Sequence, residues 1–262
     1  MNPRPLALLA CSTILASIAP GQIDQPKDPR IDAETGRSKA VWPRSPRFDF
    51  RHMKLELDFP DIAKPTLVGR QTLTVAPAGV GRSELVLDSK GPVVTAAAVE
   101  GVPATFEQAP GVLRIRPDGG FPLGKEFRVE IHYDLNYDGS KGEGLTYSPA
   151  EPEAKNETRR YPQIHSQGEA EVNSRWFPCH DFPNERLTTE LIVNVEDGYE
   201  VVSNGKLLDV ASDGHGRSTW HWLQDKPHTT YLVALAIAKF GPYIAPTLVT
   251  RSAADVRAFH AE

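Results

Sequence analysis

Residues 127–135 read Phe-Arg-Val-Glu-Ile-His-Tyr-Asp-Leu, an unbroken alternation of apolar and polar side chains. Successive side chains of a β-strand point to opposite faces, so this stretch predicts a strand with one buried and one solvated face. Residues 48–57 alternate in the same way, though imperfectly, and the pattern stops at Pro60. The two stretches predict a β-fold whose ordered part begins near Phe48.

Similar short segments recur along the chain, separated by Gly, Pro and Asp. No segment keeps an apolar 3.6-residue period for long, and 23 Pro with 20 Gly argue against long helices. We therefore predict an all-β domain of sandwich-like antiparallel sheets. The other predicted strands are 66–75, 84–87, 93–99, 112–115, 187–195, 199–202, 219–222 and 231–240. Between Tyr147 and Ser174 the strand pattern lapses, which predicts a long polar connection of the kind that is often functional.

The overall composition excludes one class of partner. Hydrophobic residues make up 40% and charged residues 24%, as is usual for a soluble globular protein. The net charge is -5 and Lys and Arg form no basic run. Because binding to phosphate groups needs a concentrated positive surface, we expect no nucleic-acid partner.

The first 21 residues have the features of an export signal. Arg4 precedes an apolar stretch, 6–19, and small residues follow at Ala19 and Gly21. The stretch is too short for a membrane span, which needs about 20 apolar residues. We predict a signal peptide over 1–21 and a secreted or periplasmic protein. A lipoprotein with a lipid anchor at Cys11, after Leu8-Leu9-Ala10, is the alternative.

The chain after the signal divides into a linker and a domain. Residues 22–46 are rich in Pro and charged residues and predict a linker. The β-domain is expected over 47–243. Cys11 and Cys179 are the only cysteines, so removal of the signal leaves no internal disulfide and the core must hold the fold.

One segment carries a family resemblance. Gln167-Gly168-Glu169-Ala170 is followed by Arg175 and then by Phe177-Pro178-Cys179-His180-Asp181-Phe182-Pro183. These residues resemble the Gln-x-Glu-Ala, Arg and Phe-Pro-Cys-x-Asp-x-Pro landmarks in the N-terminal domain of aminopeptidase N-like gluzincins. Segments 144–148, 202–205 and 230–240 resemble flanking parts of that domain, so the likeness runs from about Phe48 to Tyr243. It implies a saddle-shaped arrangement of antiparallel sheets.

The resemblance implies roles for two residues. Glu169 would bind the free α-ammonium group of a peptide, and Gln167 would line the pocket for the first side chain. A carboxylate in a partly desolvated pocket attracts an ammonium more strongly than an exposed one does. The residue types alone favour a plainer interpretation, in which Glu169 and Glu171 are solvated loop carboxylates.

The rest of the motif predicts structure. We expect Arg175 and Asp181 to form an ion pair or hydrogen-bonded clamp that shapes the loop. Trp176, Phe177 and Pro178 are predicted to be core, and Cys179 a small buried residue. A nucleophilic Cys179 would need a base, and the adjacent His180 is expected to point to the other side of an extended segment.

Zinc is expected outside this chain. Members of the resembled family hold zinc with His-Glu-x-x-His and bind the peptide backbone with Gly-x-Met-Glu-Asn, and neither pattern occurs in this sequence. None of its 8 histidines has the i, i+4 spacing with an intervening Glu. We therefore predict no catalytic and no metal-binding residue here. Residues 244–262 resemble the start of the next domain, so we expect the chain to be a fragment, from a truncated gene, a frameshift or an incomplete gene model.

Two functions of different classes follow. The first is the substrate-capping domain of a secreted zinc aminopeptidase, which removes N-terminal residues from peptides and would be inactive without its catalytic domain. The alternative is a stand-alone secreted β-sandwich module that binds protein, peptide or glycan. A domain that packs on a catalytic partner should expose an apolar surface, whereas a stand-alone module should not. A glycosidase ranks last because no carboxylate pair stands out.

Overall fold

A computed structural model describes residues 45–137, 143–151 and 161–240. The predicted signal peptide 1–21, nearly all of the linker 22–46 and the segment 244–262 lie outside these ranges, and they stay predictions. The described residues form 15 strands and two three-residue 3₁₀ helices, Asn173–Arg175 and Thr230–Leu232, with no α-helix among them. None of the described helices is long and apolar enough to cross a membrane. The all-β prediction is confirmed.

An eight-stranded sheet is the largest layer. Its spatial order is β13 (Lys206–Ser212), β14 (Arg217–His228), β11 (Leu187–Glu196), β1 (Phe48–Asp58), β2 (Thr66–Pro77), β8 (Phe127–Asn136), β4 (Val93–Val99) and β5 (Val102–Pro103). All neighbours pair antiparallel except β1 and β11, which run parallel. The prediction of antiparallel sheets therefore holds with one exception. In that exception β11, the strand that follows the motif, pairs with β1.

Two smaller sheets complete the domain. One has the order β12 (Glu200–Ser203), β15 (Leu235–Ala238), β10 (Gln163–Gln167) and β9 (Gly144–Ser148). The other has the order β3 (Leu85–Ser89), β7 (Gly111–Arg116) and β6 (Thr105–Ala109). All three sheets contribute to one core, in which Met53, Leu113 and Ile237 are each 0% exposed. Burial of this apolar surface drives the sheets together.

The imperfect alternation of β1 has a structural cause. Phe48 and Phe50 are buried, but further along the buried residues are Met53, Leu55 and Leu57. The register against β2 shifts between Phe50 and His52. An extra residue at a β-bulge moves every later side chain to the opposite face, so the core face changes from even to odd positions.

Two expectations about strands need correction. The predicted lapse between Tyr147 and Ser174 is wrong at Gln163–Gln167, which forms β10. That strand has one buried apolar residue, Ile164, and owes its conformation to pairing with β9 and β15 on its two sides. The predicted strand 231–240 begins instead with the 3₁₀ helix Thr230–Leu232 and is extended only over Leu235–Ala238.

The sequence also offered no signal for β5, β6 or β13, whose residues are mostly exposed.

Candidate functional site

The motif begins where β10 ends, at Gln167, and turns sharply at Gly168. A Cβ on Gly168 would lie 2.3 Å from the carbonyl oxygen of Tyr231 and 2.7 Å from Nδ2 of Asn173. Only glycine fits at this approach, because real Cβ atoms do not come so close to backbone oxygen. The turn then passes through Glu171 in the left-handed region, at φ 60. This is an uncommon conformation for a residue other than glycine.

The outer half of the loop is exposed. We call the side chains of Gln167, Glu169, Ala170 and Glu171, all of them solvent-exposed, the rim. Within the described ranges, the side chains of Gln167 and Glu169 make no hydrogen bond or ion pair. The Glu169 carboxylate is therefore presented to solvent with its acceptor oxygens uncommitted among the described residues.

The inner half of the loop is fastened by Asn173, which is fully buried. Its Nδ2 donates to the carbonyl oxygens of Thr230 and Val233 at 2.6 and 3.2 Å. Its Oδ1 accepts from Nε1 of Trp176 at 2.7 Å. One side chain thus bonds three polar groups, of which the Thr230 carbonyl oxygen also accepts the backbone N–H of Val233 at 3.0 Å. These bonds fix the loop against the segment before β15.

The residues after Asn173 enter the core as predicted. Trp176 and Phe177 are 0% exposed and Cys179 is 1% exposed. The two aromatic rings meet edge to face at 4.5 Å. Cys179 exchanges backbone hydrogen bonds with Asp88 at 2.8 and 3.0 Å, which joins the loop to the three-stranded sheet. The prediction of a buried, structural segment here is confirmed.

The predicted clamp between Arg175 and Asp181 is wrong as a pair. Nη2 of Arg175 lies 2.6 Å from Oε2 of Glu143. Oδ2 of Asp181 accepts from the backbone N–H of Ser174 at 3.0 Å, and the Asp181 N–H donates to Oδ2 of Asp88 at 2.9 Å. Both residues shape the loop, but the 3₁₀ helix and the core segment between them send their side chains to different partners.

Sequence reasoning missed several residues that build the site. Asn173 looked like an ordinary polar loop residue because nothing local marks it as buried. Nζ of Lys90 donates to the carbonyl oxygen of Glu171 at 2.9 Å, a contact between residues 81 positions apart. Such long-range contacts leave no periodic signal in a single sequence. The glycine at 168 was the one available clue, since a glycine after a strand often marks close backbone approach.

The exposed face of the four-stranded sheet adjoins the rim. Val202, Ala236, His165 and Thr146 form one row across its four strands. Gln167 follows His165 by two residues, so both side chains leave this same face. Val202 is 46% and Leu232 is 48% exposed. The rim thus adjoins a sheet face on which Val202 is exposed.

The described residues do not fit a metal. Within 45–137, 143–151 and 161–240, no group of three His, Cys, Asp or Glu side chains could hold an ion. No chemical step through zinc is therefore assigned to them. The prediction that zinc lies outside this chain stays a prediction.

Comparison with known proteins adds the wider context. Residues 50–232 match the family described as the Peptidase M1 N-terminal domain. Aminopeptidase B of Rattus norvegicus is 28% identical over 123 residues, which are 45% of this chain and 17% of that protein. Leucine aminopeptidase 2 of Aspergillus niger is 27% identical over 162 residues, 58% of this chain and 25% of that protein.

Solved structures show the same likeness. An M1 zinc metallopeptidase from Deinococcus radiodurans matches with a TM-score of 0.63 and 24% identity, over 75% of this chain and 43% of that one. A variant of the Deinococcus radiodurans M1 zinc metallopeptidase bound to a Tyr-Ser-Ala substrate matches with a TM-score of 0.61 and 26% identity, over 73% and 42%. The matched region thus spans less than half of these structures and a quarter or less of the curated relatives.

Proposed function

Because this chain belongs to the Peptidase M1 N-terminal domain family, we propose that it caps the substrate pocket of a zinc aminopeptidase and binds the free N-terminus of a peptide. In this proposal the zinc ion and the base that activates water belong to a separate catalytic domain. The β-domain supplies recognition and restricts the enzyme to the end of a peptide.

The observation that carries the proposal is the state of Glu169. Its carboxylate is exposed and makes no hydrogen bond or ion pair among the described residues, while the backbone a few residues on is held by Asn173. A carboxylate on a fixed support loses little conformational freedom when it binds an ammonium. Once a catalytic domain covers the rim and excludes water, the charge-assisted hydrogen bond becomes stronger.

The neighbouring residues fit supporting roles. Gln167, the first residue of the rim, leaves the same sheet face as His165, where its amide can line the pocket for the first side chain of the peptide. The exposed Val202 and Leu232 give the catalytic domain an apolar surface to pack on. We keep export by the segment 1–21 as part of the proposal, with the lipid anchor at Cys11 as its alternative.

A fusion protein tests the proposal. The full chain would replace the corresponding N-terminal domain of the Deinococcus radiodurans M1 zinc metallopeptidase, and hydrolysis of leucyl-p-nitroanilide would be measured. We expect Glu169→Gln to lower kcat/KM by about 30- to 100-fold, because a charged hydrogen bond is worth about 2–3 kcal/mol. Glu171→Gln is the matched control and should change kcat/KM less than about 2-fold.

Equal kcat/KM for the two variants in a folded, active fusion would contradict the proposal. It would favour the stand-alone binding module, in which Glu169 is one solvated carboxylate among others. Thermal melting of each fusion, followed by circular dichroism, confirms that the compared proteins are equally folded.

A further inference from the structure

A cavity of ≈ 200 Å³ lies where β1 begins, beside the three-stranded sheet. It is separate from the rim, because its lining comes from residues 45–50, from β3, from β7 and from His180. The function proposed above uses none of these side chains. The cavity therefore needs its own explanation.

Part of its wall is apolar and belongs to the core. Phe48 is 1%, Phe50 4% and Leu87 1% exposed, so all three are held by the core around them. The ring of His180 stacks on Phe50 with 5.7 Å between centroids, and its Nε2 lies 2.8 Å from Oδ1 of Asn184. A ligand would enter a cavity that is already formed and would not have to order its walls.

Two arginines, Arg47 and Arg114, also line the cavity. The Arg47 guanidinium makes no hydrogen bond or ion pair with the part of the chain that the structure describes. Arg114 lies on β7 and uses Nη1 for Glu84, at 2.8 Å, which leaves its other N–H groups available. A guanidinium has up to five donors in a planar fork that matches the two oxygens of a carboxylate.

The acidic side chain of the lining does not cancel this charge. Asp88 is the carboxylate among the lining residues, and its Oδ2 already accepts the backbone N–H of Asp181 at 2.9 Å. Glu84 offsets the charge of Arg114 and is shared with Arg116, whereas the Arg47 guanidinium faces the cavity without a carboxylate partner among the described residues. Phe48, Phe50 and Leu87 at the same time favour an apolar body over a small hydrated anion such as phosphate.

We propose that this cavity binds a monocarboxylate with an aromatic or branched apolar body of about ten non-hydrogen atoms, the size that a cavity of this volume holds. The carboxylate bridges Arg47 and Arg114, and the apolar body lies against Phe48 and Phe50. Both a free organic acid and the C-terminal residue of a peptide have this chemistry. The site is independent of the function proposed above.

Nuclear magnetic resonance of the full chain tests the assignment. Phenylacetate should shift the backbone amide signals of Phe48, Phe50 and Leu87 with a Kd of about 1 mM, the affinity that ligand efficiency allows for ten atoms. Phenylacetamide, which has the same shape without the charge, should bind at least about 10-fold more weakly. Gly-Gly-Phe and its C-terminal amide extend the test: shifts with the free peptide alone assign a peptide C-terminus, and shifts with phenylacetate alone assign a free acid.

Arg47→Gln is the decisive variant, because it breaks no contact among the described residues and should leave the fold intact. It should weaken phenylacetate binding by about 10-fold or more. Arg128→Gln, on the exposed face of β8, is the matched control and should keep the wild-type Kd. Absence of shifts at the three amides with both phenylacetate and Gly-Gly-Phe would overturn the assignment. So would equal binding of the acid and its neutral amide, or an unchanged Kd in Arg47→Gln for the acid that binds.

Discussion

The two halves of one loop differ in what holds them. The inner half, 173–181, is buried except for Arg175. Hydrogen bonds join it to three separate parts of the chain, at Gln71, at 88–91 and at 230–233. The rim, Gln167 to Glu171 without Gly168, is exposed and has few contacts. We therefore expect the inner half to determine the stability of the domain and the rim to determine recognition of the peptide. Substitutions in the two halves should therefore separate these properties.

The largest effect should come from Trp176→Ala. The side chain is 0% exposed and packs on Phe177, so its removal leaves a cavity and an unpaired Oδ1 on Asn173. We expect the free energy of unfolding to fall by about 3–5 kcal/mol. Urea denaturation followed by tryptophan fluorescence or circular dichroism measures it. Leu232→Ala, at a half-exposed position, should cost much less, and an equal cost would contradict the contrast between the halves.

A smaller loss should follow Asn173→Ala. The substitution leaves the carbonyl oxygens of Thr230 and Val233, and Nε1 of Trp176, buried without their partner. We expect a loss of about 2–3 kcal/mol in the same denaturation experiment. A change within about 0.5 kcal/mol would show that Asn173 does not fasten the loop. Asn204→Ala, whose side chain also bonds the backbone near β15 but is more exposed, serves as the comparison.

The stability of the domain should also respond to pH through His228, the last residue of β14. Burial lowers the pKa of His228 below its ordinary value, and its hydrogen bond to the carbonyl oxygen of Thr229 offsets part of this shift. Because the unfolded chain binds the proton more readily, the contribution to stability is complete above about pH 6.5 and is lost as the pH falls below it. His228→Gln should make the urea midpoint less dependent on pH between 7.5 and 5. An unchanged pH dependence would contradict this role.

The smallest effect on stability should come from the rim. Glu169→Gln and Gln167→Ala remove no side-chain hydrogen bond or ion pair among the described residues. We expect each to change the free energy of unfolding by less than about 0.5 kcal/mol. A loss comparable with that of Asn173→Ala would mean that the rim is structural, and the functional interpretation would lose its basis.

Local patterns predicted the parts of the fold that depend on local physics. The alternation of 127–135 correctly identified β8, and the apolar residues of the motif correctly identified the core segment at Trp176. β10 was not predicted because its conformation depends on pairing with two neighbouring strands. The bulge in β1 interrupted an otherwise regular alternation of apolar and polar residues. The site was harder still. Glu169 could be named from a resemblance, but its exposure and the fastening by Asn173 depend on residues far away in the sequence.

The most direct test of the central claim is the preference of the fusion enzyme for a free N-terminus. The ratio of kcat/KM for Tyr-Ser-Ala to that for its N-acetylated form would be measured with Glu169 present and with Glu169→Gln. The account predicts that the substitution lowers this ratio by about 30-fold or more, because the acetylated peptide has no ammonium for the carboxylate to bind. An unchanged ratio in an equally folded enzyme would show that Glu169 does not recognise the peptide N-terminus.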